Sequence, residues 1–98
     1  MKASLPAHNR IILSESAFAE LVVWQFPSPV EGSRHRFKYR FAYVVDGACV
    51  VRYDNEKGKG DHRDFGGNES AYSFVDPEQL VADFHKDIMR WKHENRDS

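Results

Sequence analysis

The sequence predicts an α+β domain in which an antiparallel β-meander of four to five strands packs against a C-terminal α-helix. Aromatic and basic side chains alternate with a period of two over residues 36–45, and Asp46-Gly47 follows as a two-residue hairpin turn. After Asp76, apolar residues recur three and four positions apart, as on one face of a helix. With 98 residues and 41% hydrophobic content, the chain is expected to form a single domain over residues 1–98.

The first third of the chain contains two apolar runs, residues 10–13 and 18–26, which predict strands separated by a turn at Ser14-Glu15-Ser16. A helix from Ser14 to about Trp24 is the alternative, because Ser14 is a suitable N-cap and several good helix formers follow it. Residues 27–33 contain two prolines and a glycine and predict a loop.

The turn at Asp46-Gly47 predicts the pairing of the strands on either side of it. The expected pairs are Val45 with Ala48, Tyr43 with Val50, Phe41 with Arg52, and Arg40 with Tyr53. One face would then carry Phe37, Tyr39, Phe41, Tyr43 and Val50, and the other Ala42, Val44, Cys49, Val51, Arg36, Lys38, Arg40 and Tyr53. Residues 58–70 are expected to form a loop with a turn at Gly66-Gly67-Asn68, followed by an extended piece at residues 72–75.

The C-terminal helix has a well-marked start. Asp76 is the expected N-cap, Pro77 the first helical residue, and Gln79 the residue that completes a capping box. The helix is expected to run to about His93, with a stripe that packs on the sheet: Leu80, Val81, Phe84, Ile88 and Trp91. Outside the charged segment, the sequence predicts that His8, His35, His85 and His93 face solvent and that Trp24 and Trp91 lie in the core.

Charge is distributed unevenly although the net charge is only −1. Residues 34–60 hold seven basic and three acidic side chains, whereas residues 61–98 hold five basic and nine acidic ones. The small total argues against a protein that coats nucleic acid, but the basic segment favours an anionic partner on one side. The lone Cys49 excludes an internal disulfide, and the absence of a signal peptide or a long apolar run predicts a cytoplasmic protein without a membrane segment.

Residues 53–64 carry the densest group of ionisable side chains and are the predicted functional site. RNA cleavage without a metal needs a base, an acid and cations around the phosphate. His62 is the predicted acid–base residue, Asp61 and Asp54 orient it or share its work, and Tyr53 donates a hydrogen bond or stacks on a base. Phosphate contacts are expected from Lys57, Lys59 and Arg63 and from the strand row Arg36, Lys38 and Arg40.

Three other interpretations of the charged segment remain open. Its side chains are equally typical of a solvated loop, with the basic row on the outer face of a half-buried strand. A magnesium or manganese site is less favoured, because acidic residues at such spacings are common; its ligands would be Asp54, Asp61, His62, Asp64 and Glu69. Structural zinc is weaker still, and Gly58-Lys59-Gly60 lacks the spacing of a nucleotide-binding P-loop. No cofactor is therefore predicted.

The chain resembles the TumE-like toxins of bacterial toxin–antitoxin pairs along nearly its whole length. The similar segments are Leu21–Trp24, Lys38–Arg40, Val44–Gly47, Arg52–Glu56, Gly58–Arg63, Ala82–Phe84 and Arg90-Trp91. The resemblance implies a growth-inhibiting toxin that acts on RNA or translation and is neutralised by a cognate antitoxin, usually of the helix-turn-helix type. Asp64 stands where the family commonly has a second histidine, so a catalytic role of that histidine would imply a weakened or inactive protein.

Two function classes follow from these observations. The first is a toxin that cuts RNA with His62 at the centre of its site. The second is a non-catalytic interaction protein that binds a helix-turn-helix antitoxin or another partner through the aromatic sheet face and the acidic helix. An aromatic face that one helix does not fully cover also favours a homodimer.

Overall fold

The computed structural model describes residues 7–29, 35–56 and 60–95, which form one antiparallel sheet and one helix. The order of the strands in the sheet is their order along the chain, so each strand pairs with its neighbours in sequence. The predicted meander with a C-terminal helix is confirmed, with six strands instead of four to five. The elements are β1 (Ala7–Ile12), β2 (Ala17–Gln25), β3 (Phe37–Val45), β4 (Ala48–Glu56), β5 (Gly60–Phe65), β6 (Asn68–Ala71) and α1 (Pro77–Asn95).

The sheet has one covered and one uncovered face. On the covered side, here called the helix face, Phe41 of β3 meets Phe84 of α1 edge-on with ring centroids 5.3 Å apart. Tyr39, Phe41, Val51 and Leu80 are fully buried there, which removes large apolar surfaces from water and provides the main stabilisation of the domain. No described helix or strand covers the opposite side, here called the open face.

The aromatic alternation of β3 and the turn that ends it are confirmed. Asp46 and Gly47 both have positive φ, 50° and 79°, as the primed hairpin turns require. β2 begins at Ala17 and is a strand, so the alternative helix from Ser14 is not formed. Tertiary pairing decides this point, because β2 lies between β1 and β3 and is hydrogen-bonded on both sides.

The predicted pairing of β3 with β4 is correct only next to the turn. Val45 pairs with Ala48 and Val44 with Cys49, but Tyr43 then pairs with Val51, so Val50 is an extra residue in a β-bulge. Because a shift of one residue exchanges the two faces of a strand, the predicted pairs beyond the bulge and the predicted faces of β4 are wrong. The observed partners are Phe41 with Tyr53, Ala42 with Arg52, and Arg40 with Asp54.

The predicted loop over residues 58–70 is also wrong for the part that the structure describes. β5 and β6 form a hairpin whose turn is Gly66-Gly67, as expected for those two glycines. Residues 72–75 form no strand. β5 lacks an apolar alternation because its helix-face side chains include Asp61 and Arg63, which bind polar partners in the interior. Because charged residues occupy these interior positions, the sequence pattern did not predict β5 as a strand.

The helix begins as predicted. The Gln79 backbone N–H donates to Asp76 Oδ1 at 2.7 Å, so Asp76 is the N-cap of α1. The Gln79 side chain donates to Asp83 instead of returning to the cap. Leu80, Phe84 and Ile88 are buried and Trp91 is partly buried, whereas Val81 is 45% exposed. Within the described residues, α1 is too polar to cross a membrane.

Candidate functional site

His62 of β5 lies on the open face between two carboxylates. Its Nε2 atom is 2.5 Å from Asp54 Oδ1 on β4 and 3.3 Å from Glu69 Oε2 on β6. The antiparallel pairing explains the arrangement, because His62 is the direct cross-strand partner of Asp54, and Glu69 lies close by on the next strand. The other ring nitrogen, Nδ1, is 3.3 Å from the Gly60 carbonyl. Both ring nitrogens thus lie close to oxygen atoms of the protein.

Burial makes this pair chemically unusual. The side chains of His62 and Asp54 are each only 9% exposed, whereas that of Glu69 is 51% exposed. Arg52 also lies on the open face, with Nε 3.6 Å from Asp54 Oδ2. We refer to Arg52, Asp54, His62 and Glu69 as the open-face cluster.

Two atoms of the cluster are buried without a hydrogen-bond partner among the described residues, Asp54 Oδ1 and Arg52 Nε. The close contact of Asp54 with His62 therefore falls outside the geometry of a good hydrogen bond. A buried polar atom without a partner costs stability. Such atoms are few in native proteins, and a catalytic role is one of their known explanations.

A shallow cleft of about 320 Å³ borders the cluster at the edge of the sheet, where β6 ends. Its lining combines the histidine with two carboxylates and small side chains: Asp61, His62, Glu69, Ser70 and Ala71. Asp61 and His62 are neighbours on a strand and point to opposite faces, yet both reach this cleft because it lies at the sheet edge. The predicted histidine and one predicted carboxylate thus share one concave surface.

Asp61 belongs to a second histidine–carboxylate pair, on the helix face. Its Oδ2 atom accepts from the Tyr39 hydroxyl at 2.7 Å and lies 2.7 Å from His35 Nε2. Since His35 Nδ1 accepts from the Phe37 backbone N–H, Nε2 carries the proton and donates to Asp61. The His35 ring also stacks on Phe74, 3.7 Å between centroids, so the prediction that His35 faces solvent is wrong.

Tyr53, a predicted catalytic residue, lies in the core on the helix face and is 2% exposed. The bulge at Val50 places it there. Its hydroxyl donates to Asp87 Oδ2 at 2.6 Å. Burial and the bond to Asp87 raise the pKa of Tyr53 well above its ordinary value, which keeps the hydroxyl protonated. It is thus occupied in a structural contact away from the open-face cluster.

Arg63, a predicted phosphate ligand, is also bound inside the domain. Its guanidinium makes a two-pronged contact with Asp87, 2.6 Å from Nε to Oδ2 and 3.0 Å from Nη2 to Oδ1. The hydrogen bond to Asp87 raises the pKa of Arg63. The pair ties β5 to α1 and leaves less of this cation for an external phosphate.

The remaining predicted cations are distributed along β3 and its surroundings. Lys38 and Arg40 lie on the open face; Lys38 Nζ donates to the Asn55 carbonyl at 2.7 Å, and Arg40 is exposed next to Asp54. Arg36 is exposed just before β3. Lys57 and Lys59 lie outside the described residues. The open face therefore presents Lys38, Arg40 and Arg52 beside the histidine.

Of the residues predicted for the alternative metal site, Asp54, His62 and Glu69 lie together, whereas Asp61 and Asp64 bind other partners. Asp61 faces the helix, and Asp64 Oδ1 accepts from the Gly67 backbone N–H at 3.0 Å in the turn that follows β5. Within residues 7–29, 35–56 and 60–95, no group of three or more histidine, cysteine, aspartate and glutamate side chains has an arrangement suited to a metal ion.

Sequence reasoning missed the roles of His35, Glu69 and Arg52. His35 lies 26 residues from Asp61 in the chain, and no local pattern joins the two. The sequence indicates Glu69 only as a possible metal ligand, because the sequence pattern does not predict that β6 pairs with β5. A correct strand prediction for residues 60–71 would have placed Glu69 near His62, and correct placement of the bulge would have put Arg52 on the same face.

Comparison with known proteins identifies a related family. A family model described as Toxin TumE matches residues 2–92 of the 98-residue chain. No curated protein and no solved structure matches significantly.

Proposed function

Because this chain belongs to the toxin TumE family, which supports a toxin role in a toxin–antitoxin system, we propose that it inhibits growth by cutting RNA at the open-face cluster. The observation that carries the proposal is the position of His62. This histidine is buried against Asp54, lies within reach of Glu69, and borders an open cleft. A buried acid–base pair beside a cleft is a common feature of active sites.

The proposed reaction is an internal transesterification of the RNA backbone. The 2′-oxygen attacks the adjacent phosphorus and the bond from phosphorus to the 5′-oxygen breaks, which leaves a 2′,3′-cyclic phosphate and a free 5′-hydroxyl. The 2′-hydroxyl loses one proton and the 5′-oxygen gains one, so the site must supply one base and one acid. Cations then offset the additional negative charge on the phosphorane.

The residues of the cluster divide these roles. His62, whose ring nitrogens face Asp54 and the Gly60 carbonyl, acts as the acid and donates the proton to the 5′-oxygen. Glu69 accepts the proton of the 2′-hydroxyl, because its side chain is half exposed at the cleft, whereas Asp61 Oδ2 already accepts from Tyr39 and His35. Arg52, which is 40% exposed and lies 3.6 Å from Asp54, is the cation of the cluster that binds the phosphate.

The test compares His62→Ala with His93→Ala, a change at an exposed histidine of α1. Growth inhibition after induced expression, and cleavage of an unstructured RNA by purified protein, are measured for both variants. We expect His62→Ala to lose at least about a hundredfold in cleavage rate and to lose toxicity, while His93→Ala behaves as the original protein. Circular dichroism must show that both variants are folded. Undiminished toxicity of folded His62→Ala would contradict the proposal.

A second candidate function is binding of a protein partner without catalysis. An apolar groove of about 190 Å³ lies between β1, β2 and α1, with Lys92 and His85 as its polar lining. It contains large exposed apolar side chains, Ile11 at 48%, Leu13 at 39%, Val81 at 45% and Met89 at 51%. This groove lies beside α1 and not on the open face, and an antitoxin, of helix-turn-helix or other type, or a second copy is its candidate occupant. Loss of neutralisation by the antitoxin, or of self-association, in Met89→Glu together with undiminished toxicity of His62→Ala would favour this function.

A further inference from the structure

Trp24 lies on the open face and not in the core. It pairs directly with Lys38 across β2 and β3, and directly paired residues share a face. Its side chain is half-buried. Among the described residues it has no aromatic or cation–ring contact, whereas Trp91 packs edge-on against Tyr43 on the helix face. The two tryptophans therefore differ in position, and only Trp24 presents part of its surface on the side of His62.

The strand register connects Trp24 to the open-face cluster. Arg40, Asp54 and His62 form one straight row across β3, β4 and β5. Trp24 and Lys38 form the beginning of the next row, two residues further along the strands. With strands about 4.8 Å apart and about 3.4 Å per residue, Trp24 is roughly 16 Å from His62. A few nucleotides of an extended strand cover that distance.

The charges between these two points favour an anionic ligand. Lys38 and Arg40 of β3 lie on the open face between Trp24 and His62, and Arg52 of β4 lies in the row beyond His62. Among the side chains that the structure describes, the acidic ones of this face other than Asp54 also lie in that farther row: Glu20, Asp64 and Glu69. Phosphates can follow the basic residues while a base stacks on the indole ring.

We propose that the open face binds single-stranded RNA, with one base stacked on Trp24 and the adjacent phosphates on Lys38 and Arg40, so that the strand leads across the sheet to His62. The inference rests on the proposed function for the chemistry at His62, but binding is separable from cleavage. A single strand is required because a half-buried ring on a sheet can stack only on an unpaired base.

The chain has two tryptophans. The test uses the Trp91→Phe variant, in which Trp24 is the remaining one. A short single-stranded oligonucleotide with 2′-O-methyl groups is titrated into it, because a blocked 2′-oxygen prevents the proposed cleavage. We expect saturable quenching of the Trp24 emission and no quenching by the duplex of the same sequence. Absence of quenching, or equal quenching by the duplex, would overturn the inference.

The second measurement is the affinity of each variant for the labelled oligonucleotide, determined from its fluorescence anisotropy. Trp24→Leu should weaken binding about tenfold, Trp24→Phe should retain most of it, and Trp91→Phe should leave it unchanged. Arg40→Ala should lower the slope of log affinity against log salt by about one. Unchanged affinity in folded Trp24→Leu, or quenching by the antitoxin alone and not by RNA, would refute the site.

The two proposals fail in different ways. If the blocked RNA binds through Trp24 but unmodified RNA is never cut, the proposed function is wrong and the binding site stands. If RNA is cut and Trp24→Leu cuts it with the same KM, the binding site is wrong and the catalytic proposal stands. A rise in KM with little change in kcat is the expected result for Trp24→Leu.

Discussion

At the scale of single residues, this protein places its polar side chains in two groups separated by the sheet. His62 and Asp54 lie on the open face beside the cleft, whereas Arg63 of β5 and Tyr53 of β4 bind Asp87 of α1 on the helix face. His62 and Arg63 are adjacent in β5 and lie on opposite sides of the sheet, since neighbouring side chains of a strand point to opposite faces. The first group borders the cleft, and the second links the sheet to the helix.

A substitution at Asp87 tests the structural group. Asp87→Ala leaves the Arg63 guanidinium and the Tyr53 hydroxyl without their partner, so we expect a loss of about 2 kcal/mol in the free energy of unfolding. This value allows for the 27% exposure of the Arg63 side chain. Glu94→Ala breaks the exposed Arg90–Glu94 pair of α1 and should cost no more than about 0.5 kcal/mol. Urea unfolding measures both, and equal losses would contradict the assignment.

At the scale of elements, the bulge at Val50 decides which side chains of β4 reach the helix. Because of the bulge, Tyr53 lies on the helix face, and Arg52 and Asp54 lie on the open face. The sequence predicted the hairpin and its turn correctly, but it contains no local signal for an extra residue in β4. The β5–β6 hairpin was missed for a related reason, because Asp61 and Arg63 occupy positions where a strand pattern normally shows apolar residues.

Deletions in β4 test the bulge directly. Removal of Val50 leaves Val44 opposite Cys49 and Tyr43 opposite Val51, so the variant should fold with Tyr53 still buried. Removal of both Val50 and Arg52 leaves no extra residue to absorb the second deletion, so Tyr53 moves opposite Ala42 to the open face, and this variant should not fold. Near-ultraviolet circular dichroism and thermal unfolding distinguish the two. Two equally stable deletion variants would show that the register is not fixed in this way.

At the scale of the whole molecule, the two proposed binding surfaces lie on different sides of the sheet. RNA is assigned to the open face, while the apolar groove beside α1 is left for a protein partner. Three hydrogen bonds from tyrosine hydroxyls to aspartate carboxylates stabilise the domain: Tyr39 to Asp61, Tyr53 to Asp87, and Tyr72 to Asp83.

These contacts predict a loss of stability at alkaline pH. Burial, followed by the hydrogen bond to the carboxylate, raises the pKa of Tyr39, Tyr53 and Tyr72 well above the ordinary value of 10.0. Above about pH 10 the unfolded chain therefore releases protons that the folded protein retains, and the free energy of unfolding falls as pH rises. Below pH 10 these tyrosines cause no pH dependence.

Urea unfolding at pH values on both sides of 10, with tyrosinate absorbance as a second signal, measures this effect. A triple variant, Tyr39→Phe with Tyr53→Phe and Tyr72→Phe, should be less stable at neutral pH but should show a flatter decline above pH 10. A decline as steep as that of the original protein would assign the alkaline sensitivity to other groups.

The sequence by itself determined the elements whose signals are local. Alternation in β3, the Asp46-Gly47 turn and the cap at Asp76 each depend on residues a few positions apart, and all three are confirmed. The resemblance to TumE-like toxins is confirmed by the family match over residues 2–92. The sequence also singled out His62 and Asp54, which the structure brings into contact.

Only the tertiary structure decided which charged residues belong together. The bulge placed Tyr53 on the helix face and Asp54 on the open face, the unpredicted strand β6 brought Glu69 to His62, and chain folding joined His35 to Asp61. Face and register depend on pairing between distant segments, in which one added residue exchanges inside for outside. Local propensity contains no information about such a shift, and the composition of the site therefore had to come from the folded sheet.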